Sequence, residues 1–158
     1  MQSHVKIQRR RFMSAVAALA AVSLAQAQPS TYRPMVEVWK APTCDCCKDW
    51  IKRLESNGLQ VKTYETGNVA ARKELGMPDK FASCHTARVE DYALEGHVPV
   101  REVKRLLRER PKGIGLAVPG MPIGSAGMDG PAYAGRRDPY DVLLVQRDGT
   151  STVYQAYR

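Results

Sequence analysis

The sequence predicts a single small α/β domain, a sheet with helices on its faces that ends in a β-hairpin. Three observations predict it. Strand-like and helix-like segments alternate from Met35 to Arg110. Asp148-Gly149 separates two final strand-like runs, a hairpin signal. The chain has 158 residues, 44% apolar and 25% charged, which fits one globular domain and excludes a disordered or collagen-like chain. No internal repeat or domain linker interrupts the pattern.

Met35-Val36-Glu37-Val38-Trp39 has strand character. Thr43 can cap a helix running to about Asn57, with Cys47, Trp50, Ile51 and Leu54 on one face and Gly58 as its C-terminal stop. Leu59 to Tyr64 reads as a second strand, and Asn68 to Leu75 as a short helix stopping at Gly76. Ala87 to Leu94 reads as a third strand. Pro99 to Arg110 is an amphipathic helix with Pro in its first turn and Pro111 beyond it. Asp141 to Val145 and Thr152 to Tyr157 form the terminal hairpin.

Residues 1–27 read as a cleaved signal peptide. Lys6, Arg9, Arg10 and Arg11 form a positive start, Met13 to Leu24 is a short Ala-rich apolar stretch, and Ala25-Gln26-Ala27 is a signal-peptidase site. Arg9-Arg10-Arg11-Phe12-Met13 also resembles the twin-arginine export signal. The expectation is therefore export to the periplasm, a short lead at 28–34 and one domain at 35–158. No apolar run approaches the roughly 20 residues that span a bilayer, so no membrane insertion is expected after cleavage.

Removing the four basic residues of the signal lowers the formal charge from +8 to +4. That is too mild for a nucleic-acid partner, and export argues the same way. The densest basic stretch, Arg101 to Lys112, also contains Val103, Leu106 and Leu107 at helical spacing, so it reads as a solvated helix face opposite a core stripe.

The strongest chemical signal is Thr43-Cys44-Asp45-Cys46-Cys47. It puts three thiols at the end of a strand and the start of a helix, where backbone N–H groups and the helix dipole favour thiolates. Cys44 and Cys47 alone have the C-x-x-C spacing of a thioredoxin-like redox turn. Cys46 is superfluous to that chemistry, whereas three neighbouring thiolates suit soft metal ions. Cys84, in Ser83-Cys84-His85-Thr86, can reach this turn if successive strands lie side by side. His85 is a further candidate ligand. His97, in Gly96-His97-Val98-Pro99, can reach the site from the next loop but stays outside the expected ligand set. Ordinary disulfides are the structural alternative in an oxidising compartment.

Gly113 to Pro131 is a 19-residue stretch with six Gly and three Pro, read as a long loop of the functional kind. It holds Met121 and Met128, whose thioethers are soft ligands for Cu(I); the alternative is that both plug the core.

With these residues in view, the chain resembles the CopG-type periplasmic copper-resistance proteins, unrelated to the ribbon-helix-helix repressor of the same name. The resemblance rests on Trp39-Lys40-Ala41-Pro42-Thr43-Cys44-Asp45-Cys46-Cys47, Ser83-Cys84-His85-Thr86-Ala87, Glu95-Gly96-His97-Val98-Pro99, Val118-Pro119-Gly120-Met121-Pro122 and Gly127-Met128. It covers nearly all of Met35 to Tyr157. One departure is Ala126, where the family pattern leads one to expect Pro. The resemblance implies a thioredoxin-like fold and copper held by Cys44, Cys46, Cys47 and Cys84, with His85, Met121 and Met128 as accessory ligands.

The expected function is Cu(I) binding in a thiolate cluster, mononuclear or bridged between several ions. It would serve copper resistance by sequestration or by redox conversion. Copper ions and other periplasmic copper-handling or redox proteins are the expected partners, and no turnover reaction is assigned. Two alternatives belong to other classes. One is a thiol-disulfide oxidoreductase using Cys44 and Cys47. The other is a structural zinc module built from three cysteines and His85.

Overall fold

The computed structural model describes residues 32–158; the expected signal peptide and the start of the lead lie outside them. Strands are β1 (Met35–Lys40), β2 (Gln60–Tyr64), β3 (His85–Val89), β4 (Tyr92–Glu95), β5 (Gly115–Ala117), β6 (Tyr140–Val145) and β7 (Ser151–Tyr157). Helices are α1 (Asp45–Ser56), α2 (Val69–Glu74) and α3 (Val100–Glu109). All seven strands form one sheet in the order β2-β1-β3-β4-β5-β6-β7. The α/β class, the single sheet and the closing hairpin match the sequence expectation.

Local sequence explains each element near the site. In β1, Val36 and Val38 are buried on alternate positions, the period of a half-buried strand. In α1, Cys47, Trp50 and Leu54 are buried along one stripe, the spacing of one helix face. The helix ends in a Schellman motif: Leu59 N–H donates to Leu54 O at 3.1 Å and Gly58 N–H to Glu55 O at 3.0 Å. Gly58 supplies the required positive φ of 89°, and Leu54 and Leu59 are both buried. In α3, Val100, Val103 and Leu106 face the core.

Three local expectations are corrected. The segment from Ala87 to Leu94 is not one strand but the antiparallel hairpin β3–β4, turning at Glu90-Asp91. Its turn contains no Gly or Pro to mark it; Glu90 itself takes φ 50°. The stretch from Gly113 to Pro131 contains β5, which pairs parallel with β4 and antiparallel with β6. It is therefore a short buried strand plus a loop from Val118 onward. The α1 cap residue is Cys44, not Thr43, and its side chain makes no capping hydrogen bond.

The two cysteine segments meet because β1 pairs antiparallel with β3, with Lys40 opposite His85. The chain leaves β1 toward Cys44 at the same sheet end where it enters β3 from Cys84. β1 also pairs parallel with β2, so α1 crosses one face of the sheet between them.

Gly115 is where β5 presses hardest on β4. A Cβ there would lie 1.8 Å from Ala93 O, a contact with backbone that no side-chain rotation relieves. Gly115→Ala should therefore destabilise the protein by about 3 kcal/mol, the upper end of ordinary overpacking costs. Urea unfolding checks this, and a midpoint equal to that of the parent would refute it.

Candidate metal centre

Cys44 sits at the N-terminus of α1 in an extended conformation. Its N–H donates to Ala41 O at 3.2 Å, and its carbonyl accepts from Lys48 N–H at 3.3 Å. Cys46 and Cys47 follow in the first turn. Lys40 holds the preceding loop from below: its side chain is 2% exposed, and its ammonium donates to Ala41 O at 3.0 Å, Pro42 O at 3.4 Å and Glu65 at 3.0 Å. Three donors on one buried ammonium are thus all used, which satisfies a group that is otherwise costly to bury.

Cys44, Cys46, Cys47 and Cys84 bring their four sulfurs within 4.8 Å of one another. Cys44 Sγ lies 3.5 Å from Cys46 Sγ, and Cys84 Sγ lies 3.5 Å from Cys47 Sγ and 4.0 Å from Cys46 Sγ. Cys44 and Cys47 are joined as a disulfide, while Cys46 and Cys84 are free thiols. Adding two electrons and two protons to that disulfide gives a site of four thiols. Cys47 is fully buried; the other three cysteines are partly exposed.

Two histidines back the sulfurs. His97 Nε2 is 2.9 Å from Cys84 Sγ, and His97 Nδ1 is 2.7 Å from Ala126 O. A carbonyl can only accept, so Nδ1 carries the proton and Nε2 accepts from the Cys84 thiol. Burial holds His97 below the usual histidine range, consistent with a neutral ring. His85 is fully buried against Trp50, ring centroids 4.3 Å apart. Its Nδ1 is 3.4 Å from Cys84 Sγ, and its Nε2 has no hydrogen-bond partner. Burial, then the neighbouring His97, keeps it well below the usual range. Burial and then Cys46 push the Cys84 thiol up to about 12. Cys84, His85 and His97 thus form a second donor group sharing Cys84 with the first.

The methionine loop lies directly on α1. A Cβ on Gly127 would come 2.5 Å from Cys46 O, 3.1 Å from Trp50 N and 3.3 Å from His97 Nδ1. Asp129 fastens the loop by accepting from Arg53 at 2.7 Å and from Gly127 N–H at 3.3 Å. Met128 is buried, and its sulfur accepts from Tyr133 OH at 3.2 Å. Met121 is 52% exposed. The fold thus brings the loop to the cysteine helix through Gly127 and Ala126 O, with one thioether buried and the other at the surface.

A polar network beneath Cys84 went unread in the sequence. Glu95 is fully buried; it accepts from Ser83 N–H at 2.7 Å and Thr86 Oγ1 at 2.6 Å, and Arg72 lies 3.5 Å away. Asn68 donates to Ser83 O at 3.1 Å and to Thr86 Oγ1 at 3.2 Å. These bonds fix both flanks of the Cys84-His85 pair. The only sequence trace of them is one carboxylate closing the apolar run Tyr92-Ala93-Leu94.

An α/β domain carrying a sulfur-rich donor cluster at one end of its sheet is a metal-handling or thiol-redox protein by class. Comparison with known proteins narrows this. Two solved structures match, both of a copper resistance protein CopG. The chain is 40% identical to one, termed form 2, with TM-score 0.74, over 80% of this chain and 100% of that one. It is 39% identical to the other, form 1, with TM-score 0.73, over 80% of this chain and 98% of that one. A family model described as a protein of unknown function, DUF411, matches residues 81–128, and no curated protein matches. The chain belongs to the CopG copper-resistance protein family.

Glu95 gives a pH test of the network. Burial raises its carboxyl to about 7 from an ordinary 4.5. A raised carboxyl binds its proton more tightly when folded, so its contribution is fully present below 4.5 and is lost as pH rises through 7. The stability of the metal-free parent relative to Glu95→Gln should therefore fall by on the order of 2 kcal/mol between those limits. Urea unfolding of both proteins across that range checks it, and a pH-independent difference would contradict it.

Proposed function

We propose that this chain is an exported copper-binding protein that holds Cu(I) on Cys44, Cys46, Cys47 and Cys84. It would serve copper resistance by sequestering the ion or by converting it between oxidation states. The observation that carries the reading is the convergence of four sulfurs, from the start of α1 and from the segment before β3, within 4.8 Å. Soft thiolates select Cu(I), and a set this tight can share sulfurs between several ions. His85 sets its Nδ1 3.4 Å from the Cys84 sulfur, which suits an accessory ligand, and Met121 and Met128 are the candidate thioether ligands of the covering loop. The relatives' names support a role in copper resistance, and the signal-like residues 1–27 support a periplasmic site of action, where other copper-handling or redox proteins would be its partners. Among the described residues, no helix is long and apolar enough to cross a membrane. The run of β1, α1, β2, α2, β3, β4 and α3, with its C-x-x-C turn after the first strand, supports the thioredoxin-like reading of the fold.

The protein's own part in binding is to prepare the sulfurs. His97 Nε2 is placed to take the Cys84 proton as a metal ion replaces it. The Cys44–Cys47 pair must be reduced before all four sulfurs bind. That same disulfide favours a second reading, a thiol-disulfide oxidoreductase that uses Cys44 and Cys47 alone.

One variant separates the two readings. Cys46→Ser should lower copper content, measured by elemental analysis and copper X-ray absorption on anaerobically purified protein. An oxidoreductase would keep its insulin-reducing activity in this variant. Unchanged copper content with intact reductase activity would sink the cluster reading, and zinc in place of copper would point to a structural module.

The thioethers should matter less than the thiolates. Met121→Leu and Met128→Leu keep apolar bulk and should each cost less than about 1.5 kcal/mol of stability. Copper retention against a competing Cu(I) chelator should weaken without being abolished. Retention equal to the parent in both variants and in the double variant would make both residues packing groups only.

A further inference from the structure

We propose that the Cys44–Cys47 disulfide is one of two interchanging pairings. Cys84 exchanges into it, giving a Cys47–Cys84 disulfide and a free Cys44 thiol. Cys47 is fully buried, so no external thiol reaches its sulfur easily. Cys84 Sγ is already in contact with it at 3.5 Å. A disulfide is about 2.05 Å long, so side-chain rotation closes the remaining gap. The pairing of β3 with β1 holds the two segments in place throughout.

The step balances without an added oxidant or reductant. The Cys84 sulfur attacks the Cys47 sulfur, the Cys47–Cys84 bond forms and the Cys44–Cys47 bond breaks. Cys44 leaves with the bonding electron pair as a thiolate. The proton on Cys84 passes to His97 Nε2, which already accepts it at 2.9 Å, and Cys44 takes up one proton from that ring by way of solvent. One disulfide and two thiols are present before and after. The contact gives the Cys84 proton a place to go as its sulfur becomes the attacking thiolate. Cys46 touches Cys44 at 3.5 Å but has no such imidazole.

The exchanged form ties α1 to the residue just before β3 and leaves Cys44 and Cys46, both partly exposed, as a dithiol. On the copper reading, the oxidised protein would then still offer two thiolates to an ion. That consequence rests on the proposed function; the exchange itself does not.

Trypsin makes the two forms distinguishable. Cleavage after Lys40 and Lys48 yields Ala41–Lys48, which holds Cys44, Cys46 and Cys47; cleavage after Lys80 and Arg88 yields Phe81–Arg88, which holds Cys84. The observed pairing stays within one fragment, whereas the exchanged pairing crosslinks two. The full chain, chelator-treated, metal-free and carrying its one disulfide, is incubated near neutral pH, acid-quenched, alkylated and mapped by mass spectrometry. We expect the crosslink in about a tenth of the molecules or more, with Cys44 alkylated, as for pairings within a tenfold equilibrium. It should persist in Cys46→Ser. In Cys44→Ser, mild oxidation with diamide should give the same crosslink within a single chain. No crosslink in the parent after prolonged incubation, its loss in Cys46→Ser, or disulfide-linked dimers in place of it in Cys44→Ser would each overturn the proposal. Copper is absent from every sample, so failure of the copper reading leaves this result untouched.

Discussion

The site depends on one register. Lys40 at the end of β1 faces His85 at the start of β3, so the loops beyond them, with Cys44 on one side and Cys84 on the other, leave the sheet together. A shift of one residue would turn Val36 and Val38 out of the core, because side chains alternate faces along a strand. Burial of those valines, with Ala87 and Val89 on the facing strand, therefore fixes the register that makes the four sulfurs neighbours. Core packing and metal-site geometry are here the same constraint.

The loops need more than register, because irregular backbone next to a core must find hydrogen-bond partners. On the β1 side they come from the Lys40 ammonium, which pins Ala41 and Pro42. On the β3 side they come from Glu95 and Asn68, which hold Ser83 and Thr86. Each device buries a charged or polar group, and each is compensated by two or three bonds, the condition under which such burial is tolerated. The cysteines are thus held from behind by groups that never touch a sulfur.

The sequence disclosed what depends on local pattern. α1 and its Gly58 stop, α3 with its flanking prolines, and the Asp148-Gly149 hairpin follow from periodicity and turn chemistry. So does the grouping of three cysteines at a helix start. The β3–β4 turn stayed hidden because Glu90 takes a left-handed conformation without the glycine that would signal it. β5 stayed hidden because three residues, Gly115 to Ala117, are too few to show a period, and they form a strand only because β4 and β6 flank them. At the site, the approach of Cys84 was legible from neighbouring strands. So was the reach of His97 from the next loop; its ring orientation was not, since that depends on Ala126 O arriving from a loop 29 residues further along. Likewise, the disulfide between Cys44 and Cys47 selects one of several pairings that spacing alone left open.

The covering loop shows how the fold trades freedom for access. Gly127 rests so close to Cys46 O and Trp50 N that no larger residue fits, and Arg53 with Asp129 fastens the loop from outside. This contact closes the α1 side of the cluster and aims Ala126 O at His97, fixing which ring nitrogen faces Cys84. Beneath it, His85 keeps a buried nitrogen without a partner. Such an orphan ordinarily costs about 1–3 kcal/mol; packing of the tilted ring against Trp50 offsets part of that. The other ring nitrogen, Nδ1, lies 3.4 Å from the Cys84 sulfur, and it is the atom that a cation held by the cysteines could reach. The sulfurs would select the kind of ion, and the buried imidazole would add a nitrogen donor.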